Sequence, residues 1–290
     1  IASSYEQLLH VDADGGGNST THVSVKDGDN GTTFGFTIAT DALMMSSTNR
    51  LEFGDTGTYI HQSADGVLDL VSDGSINVTV GAAGLVLKGT TPKLTIGDAG
   101  AEDTSIVFDG NAQDYYIGLD DTDDDFKIGL GSAVGTTAHV VIDEAGAVTK
   151  PLQPAFLAKP ASTQSDIAVD STVTVVFGTE IFDQGGDFAS NTFTAPVTGK
   201  YQFNVSLRMD NVDTAAEYYQ IRFKVSNQDV VFCIFDPDFA DADIPYYYIS
   251  GSTLVDMDAS DTCYIVITQN SGTAQTDISA DSYFSGYLAC

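Results

Sequence analysis

Asn191-Thr-Phe-Thr-Ala-Pro-Val-Thr-Gly-Lys-Tyr-Gln-Phe-Asn-Val-Ser-Leu-Arg208 opens with a turn built on Pro196 and Gly199 and then alternates strictly. Tyr201, Phe203, Val205 and Leu207 fall on one side. Lys200, Gln202, Asn204, Ser206 and Arg208 fall on the other. A period of two with one apolar set predicts a β-strand that buries one face. The rest of the chain is read outward from this strand.

Composition bounds what such strands can serve. The chain has 290 residues, with 11 basic against 41 acidic side chains and a formal charge of -30. The acids are spread through both halves, so the field repels phosphate backbones and anionic headgroups; nucleic acid is not an expected partner. Apolar residues make up 42% of the chain, enough for packed cores despite the charge. No apolar run is long enough for a membrane helix, so membrane insertion is not expected. The chain begins at Ile1, and we read it as a processed or trimmed product.

Cys233, Cys263 and Cys290 are too few for a disulfide scaffold and lack metal-site spacing. Cys233 and Cys263 sit within strand-like apolar runs, where they read as small core residues; a 233–263 disulfide is the alternative.

Residues 1–150 read as short strands set about ten residues apart. They include Val67–Val71, Ser75–Val80, Leu85–Leu87, Lys93–Ile96, Ser105–Phe108, Tyr115–Leu119 and Asp125–Leu130. Turns rich in Gly and Asp separate them, because those residues tolerate sharp reversals. Helix signals are thin, with room for a turn or two at Ser4–Leu9. Each strand offers only two or three large apolar side chains, too few for a wide private core. Three copies around one axis would bury the same faces against each other. The segment Thr90–Leu119, with Pro-Lys-Leu-Thr-Ile-Gly-Asp-Ala-Gly and Phe-Asp-Gly-Asn, resembles shaft segments of phage tail fibres, especially those of marine phages. That resemblance implies a trimeric intertwined β shaft of the β-prism or β-helix kind.

A boundary falls at Lys150–Pro160, where Pro151, Pro154 and Pro160 argue against a regular central strand or helix. Beyond it, in residues 151–290, strands lengthen and aromatics become frequent, as at Thr172–Phe177 and Tyr219–Val225. Long alternating strands suit a two-sheet sandwich. The Phe-Thr-Ala-Pro-Val-Thr-Gly-Lys-Tyr-Gln-Phe segment follows the Asp- and Gly-rich loop Phe182–Phe188, and the chain closes on Tyr283-Phe-Ser-Gly-Tyr-Leu288. These words resemble the signature of C1q/TNF-like domains. The resemblance implies a jelly-roll head, a first strand at Pro154–Leu157 and assembly as a homotrimer.

Chemistry has little to stand on. All four histidines, His10, His22, His61 and His139, precede the head, and no nucleophile elbow or His-Glu-x-x-His helix occurs. Gly129-Leu-Gly-Ser-Ala-Val-Gly135 is mis-spaced for a dinucleotide loop and reads as a turn. A carboxylate pair for glycan cleavage cannot be singled out among 41 acids. Asp120-Asp-Thr-Asp-Asp-Asp125 has the alternation of a calcium loop, but Phe126 stands where glycine is needed; a solvated turn is the reading. Asp236, Asp238, Asp241 and Asp243 lie on an expected head loop, and Asp238, Asp241 and Asp243 are the candidate calcium ligands. Tyr246, Tyr247 and Tyr248 offer flat amphipathic surface for a protein or sugar partner, unless alternate members fill the core and the seam between copies.

The sequence therefore predicts an all-β, non-enzymatic adhesin. A shaft over 1–150 carries a C1q-like head over 151–290, which binds a glycan or protein of the host cell surface from the tail fibre of a virion, while a missing N-terminal region contacts other virion proteins. A capsid fibre or decoration protein is the structural alternative, and a tailspike depolymerase the enzymatic one.

Overall fold

The computed structural model describes residues 8–12, 21–82 and 84–290, and every regular element but one is a β-strand. The helical turn expected from Ser4 falls mainly outside the described residues. The chain divides into two compact units, Ile1–Lys93 and Leu94–Cys290.

In the first unit, β1 (His10–Val11), β2 (Val23–Lys26), β3 (Thr33–Ile38) and β4 (Leu43–Met45) form an antiparallel meander in chain order. A second meander joins β5 (Leu51–Glu52), β6 (Tyr59–His61) and β7 (Asp69–Val71). Aspartates close the turns: the Asp55 carboxylate accepts from the backbone N–H groups of Gly57 and Thr58, each at 2.9 Å. Val25 is the one fully buried apolar side chain among this unit's described residues.

No strand forms between Val71 and Thr104 among the described residues. The strands expected at Ser75–Val80, Leu85–Leu87 and Lys93–Ile96 are therefore absent. The chain brings no neighbouring strand to their N–H and C=O groups, and a strand exists only as half of a pair. Their apolar side chains are bare, with Leu85 70%, Leu94 65% and Val78 62% exposed.

The second unit opens with five antiparallel strands in chain order: β8 (Thr104–Phe108), β9 (Tyr115–Asp120), β10 (Asp125–Leu130), β11 (Ala138–Ile142) and β12 (Val148–Thr149). The expected strands at 105–108, 115–119 and 125–130 are all here.

A two-sheet sandwich follows. Its strands are β13 (Ala155–Lys159), β14 (Ser171–Thr174), β15 (Thr179–Gln184), β16 (Phe188–Ala189), β17 (Thr192–Thr194), β18 (Gly199–Val212), β19 (Tyr218–Val225), β20 (Gln228–Phe235), β21 (Ile244–Met257), β22 (Thr262–Asn270), β23 (Asp277–Ile278) and β24 (Tyr283–Leu288). One sheet runs β15-β13-β24-β18-β21, with β23 against the far end of β18. The other runs β16-β17-β22-β19-β20, with β14 against β22. Neighbours distant in sequence make this a jelly roll.

β13 corrects the proline argument. It lies between β15 and β24, a central position, because Pro154 and Pro160 stand just outside its ends and leave its ladder intact. The expected strand at Thr172–Phe177 is regular only to Thr174, although Val175 and Phe177 still point into the core.

The alternation read in β18 holds in space. Tyr201, Phe203, Val205 and Leu207 are sealed between the sheets, joined by Met209 and Val212. Phe156 stacks on Phe188 and Phe193, with centroids 4.6 and 5.2 Å away, and meets Phe284 edge-on at 5.0 Å. The Tyr201 hydroxyl donates to the Val197 carbonyl at 2.7 Å, which fixes the Pro196–Gly199 turn. Gly286 in β24 is a requirement of close approach, since a Cβ there would sit 2.5 Å from Phe203 and 2.8 Å from Phe156.

Candidate functional site

Strand directions decide which residues meet. The chain enters the sandwich at Pro154 and leaves beside it, where Leu288 N–H donates to the Pro154 carbonyl at 3.1 Å. The loops 160–170, 213–217, 236–243 and 271–276 lie at the opposite, distal end. Carboxylates tie these loops together. Asp213, almost fully buried, accepts from the N–H groups of Ala215 and Ala274 at 2.8 and 2.7 Å, and from Thr273. Burial alone would raise its pKa, but the three donors outweigh burial and hold the carboxyl below its usual range. Asp170 receives Ser271 N–H at 2.7 Å, and Asp277 receives Asp166 N–H at 2.8 Å.

The predicted acidic loop is at this end, and its four aspartates are exposed. Asp236 caps the short 3-10 turn Pro237–Phe239 by accepting from Asp238 N–H at 3.0 Å. Asp243 reaches away to Thr214, accepting from its N–H at 3.0 Å and its hydroxyl at 2.9 Å. Among the described residues no three His, Cys, Asp or Glu side chains converge so as to hold a metal ion, and Asp238, Asp241 and Asp243 do not gather into a calcium site. The Asp120–Asp125 turn already holds a cation of its own. Lys127 Nζ lies 2.7 Å from Asp120 and 2.6 Å from Asp123, and keeps its charge against the cost of burial.

The three tyrosines divide by strand parity. In β21, Tyr246, Tyr247 and Tyr248 stand opposite Asp210, Met209 and Arg208 of β18. Tyr247 therefore turns inward against Phe235 and Phe239, at 5.2 and 5.8 Å, as the core reading allowed. Tyr246 and Tyr248 turn out, 66% and 58% exposed.

Their outer sheet face holds what the search for motifs missed. Gln202 Nε2 donates to Ser252 Oγ at 2.7 Å, Ser252 to Asn204 Oδ1 at 3.0 Å, and Ser250 to Ser206 at 3.0 Å. Arg208 lies over the Tyr246 ring at 4.6 Å and bonds Asp210 at 2.8 Å and Asp281. Burial works against the guanidinium charge, yet the two carboxylates keep its pKa above the ordinary arginine value. Tyr283 and Tyr287 of β24 flank the ladder, both partly exposed. The signal was present as the outward members of each alternating strand; their convergence depended on a register that no single strand reveals.

A cleft of about 690 Å³ lies at the entry end instead, walled by Leu152, Pro154, Pro196, Val197 and Leu288, with Lys150 and Asp187 at its rim. Burial, with Asp183 nearby, pushes the Asp187 carboxyl up. The three cysteines are free. Cys233 stands opposite Ile221 and Cys263 opposite Val225, on opposite sides of β19, which rules out a bond between them.

The C1q-domain family model matches residues 155–289, the sandwich from its first strand to its last. Residues 155–289 form a C1q domain. Solved structures similar to this chain include the globular domain of zebrafish complement 1qA protein, at 18% identity and a TM-score of 0.36, over 48% of this chain and 98% of that one. Murine APRIL at pH 8.0 is similar at 12% identity and a TM-score of 0.35, over 47% and 98%. No curated protein matches the chain. Among the described residues no helix is long and apolar enough to cross a membrane.

Proposed function

We propose that the chain is the outer part of a phage tail fibre, a homotrimeric adhesin that grips a host cell-surface glycan or protein through its C1q domain without catalysing a reaction. The observation that carries this reading is apolar surface without a partner upstream of the C1q domain. Ile76, Val78, Val80, Leu85, Leu87 and Leu94 line a backbone that has no ladder of its own. Sister chains supplying both the missing strands and the missing cover would turn residues 72–103 into an intertwined shaft. A connection this long without regular structure is otherwise unusual beside packed sheets.

The C1q domain supports the same assembly. In a chain of charge -30, the middle of the Gln202–Ser252–Asn204 face carries no acid and is framed by tyrosines. Depletion of charge with enrichment of aromatics is the composition of an interface core. With that face turned to sister copies, the loop bearing Asp236, Asp238, Asp241 and Asp243 remains outward at the distal end as the receptor contact, with Tyr246 and Tyr248 at its border. Three equal surfaces on one axis make weak contacts effective through avidity.

The test is adsorption. Purified protein should coat host cells and block adsorption of the parent particle, and Asp238→Lys/Asp241→Lys should weaken coating at least tenfold. Absence of any cell or glycan binding contradicts the adhesin. Release of shortened host polysaccharide replaces it with a depolymerase.

A further inference from the structure

The sheet β8–β12, which enters the C1q domain, covers the wrong face. On one side lie Tyr116, Gly118, Asp120, Lys127 and Gly129, with Val107 and Val141 beside them on the flanking strands. The loop 131–137 folds back over that side. Gly135 N–H donates to the Tyr116 hydroxyl at 3.1 Å, and Val134 sits so close that a Cβ on Gly118 would meet it at 2.7 Å. Tyr116 is sealed by this cover.

The opposite side is apolar and bare. Cross-strand register aligns Ile106, Ile117, Ile128 and Val140 in one row. A second row joins Leu119, Phe126 and Ile142, and a third joins Phe108, Tyr115 and Leu130. Phe108 is 55% exposed and Leu119 44%. No charged side chain interrupts the three rows. Contiguous apolar surface of this kind marks a site of association, whereas apolar residues scattered singly do not.

We propose that this face is an interface with sister copies, packed about the assembly axis as a three-sided prism directly beneath the C1q domains. Charge selects the occupant. At -30, two copies repel wherever acidic surfaces meet, and this neutral face is a place where they can approach closely. A foreign partner has no charge here to recognise, whereas three copies about one axis turn this same face of each chain to a shared centre and need no other surface. Strand exchange plays no part, because each strand of the sheet already pairs with its chain neighbour. The prism rests on the homotrimer proposed above and adds where and how the chains meet.

Single cysteines placed at Ile117, Phe126 or Ile128 of the full chain, in a Cys290→Ser background, test it. These side chains are at least partly exposed within one chain, so the substitutions leave the fold intact. Mild oxidation should link most chains into pairs at one or more of the three positions, independently of protein concentration. Ser105→Cys, on the covered side, should give at least tenfold fewer pairs. A monomeric mass for the unmodified protein overturns the homotrimer and the prism together. A multimer that pairs at none of the three positions, or equally at Ser105→Cys, overturns the prism alone.

Discussion

Asp213 shows how one side chain holds the distal end together. Its carboxylate satisfies three backbone N–H groups of two loops, so Asp213→Ala would strand those donors under cover. Such a loss costs about 2–3 kcal/mol, read as a lower midpoint in denaturant. The sign of the pH effect follows from its depressed pKa. The stabilisation is present above the carboxyl's unfolded pKa and disappears as pH falls through the lower folded value. Wild type should therefore lose stability in acid, and Asp213→Asn should be less stable at neutral pH with a shallower acid limb. An identical acid limb in both proteins contradicts this assignment. Gly286 is equally specific. With Phe203 and Phe156 where a methyl would go, Gly286→Ala should cost about 1–3 kcal/mol through overpacking. The glycine was visible as part of Phe-Ser-Gly-Tyr; the two rings that require it were not, because they come from β13 and β18.

Alternation in the sequence located β7 to β10, β13, β14, β18, β19 and β24. It read β19 and β24 nearly to the residue, and β18 from its start as far as Arg208, since a half-buried strand writes its own period. It failed at Ser75–Val80, Leu85–Leu87 and Lys93–Ile96 because period two states which side is apolar and says nothing of what pairs with it. It also left Tyr246-Tyr-Tyr248 open, since three equal residues carry no parity until Met209 of β18 fixes which one points in. The acidic loop was placed on a connection between strands, as found, but its aspartates were taken as a group. The fold gives one to a turn and another to Thr214. Two element-level outcomes follow. Lys127→Met leaves Asp120 nearly buried without its cation, which should speed amide exchange across β9 and β10 by about tenfold or more, equivalent to roughly 1.4 kcal/mol, while β18 and β22 stay protected. In denaturant without reductant, three thiols per chain should react with a thiol reagent, and one would indicate the disulfide that the register forbids.

At the scale of the whole molecule, charge and apolar surface pull in opposite directions. A formal charge of -30 opposes close approach of copies, while in the proposed assembly bare apolar side chains between Val67 and Ile142 and a charge-poor face on the C1q domain favour it. Burial is rewarded at roughly 25 cal/mol per Å² of apolar surface, whereas repulsion between exposed charges fades with salt. Assembly should accordingly tighten as ionic strength rises. The adhesin account stands on that assembly, because one chain leaves residues 72–103 without strands to pair and the apolar face of β8–β12 without cover. Light scattering on the full chain at physiological salt is the most direct test. Three times the 30.5 kDa of one chain is the predicted mass, and a stable species of 30.5 kDa would contradict the account.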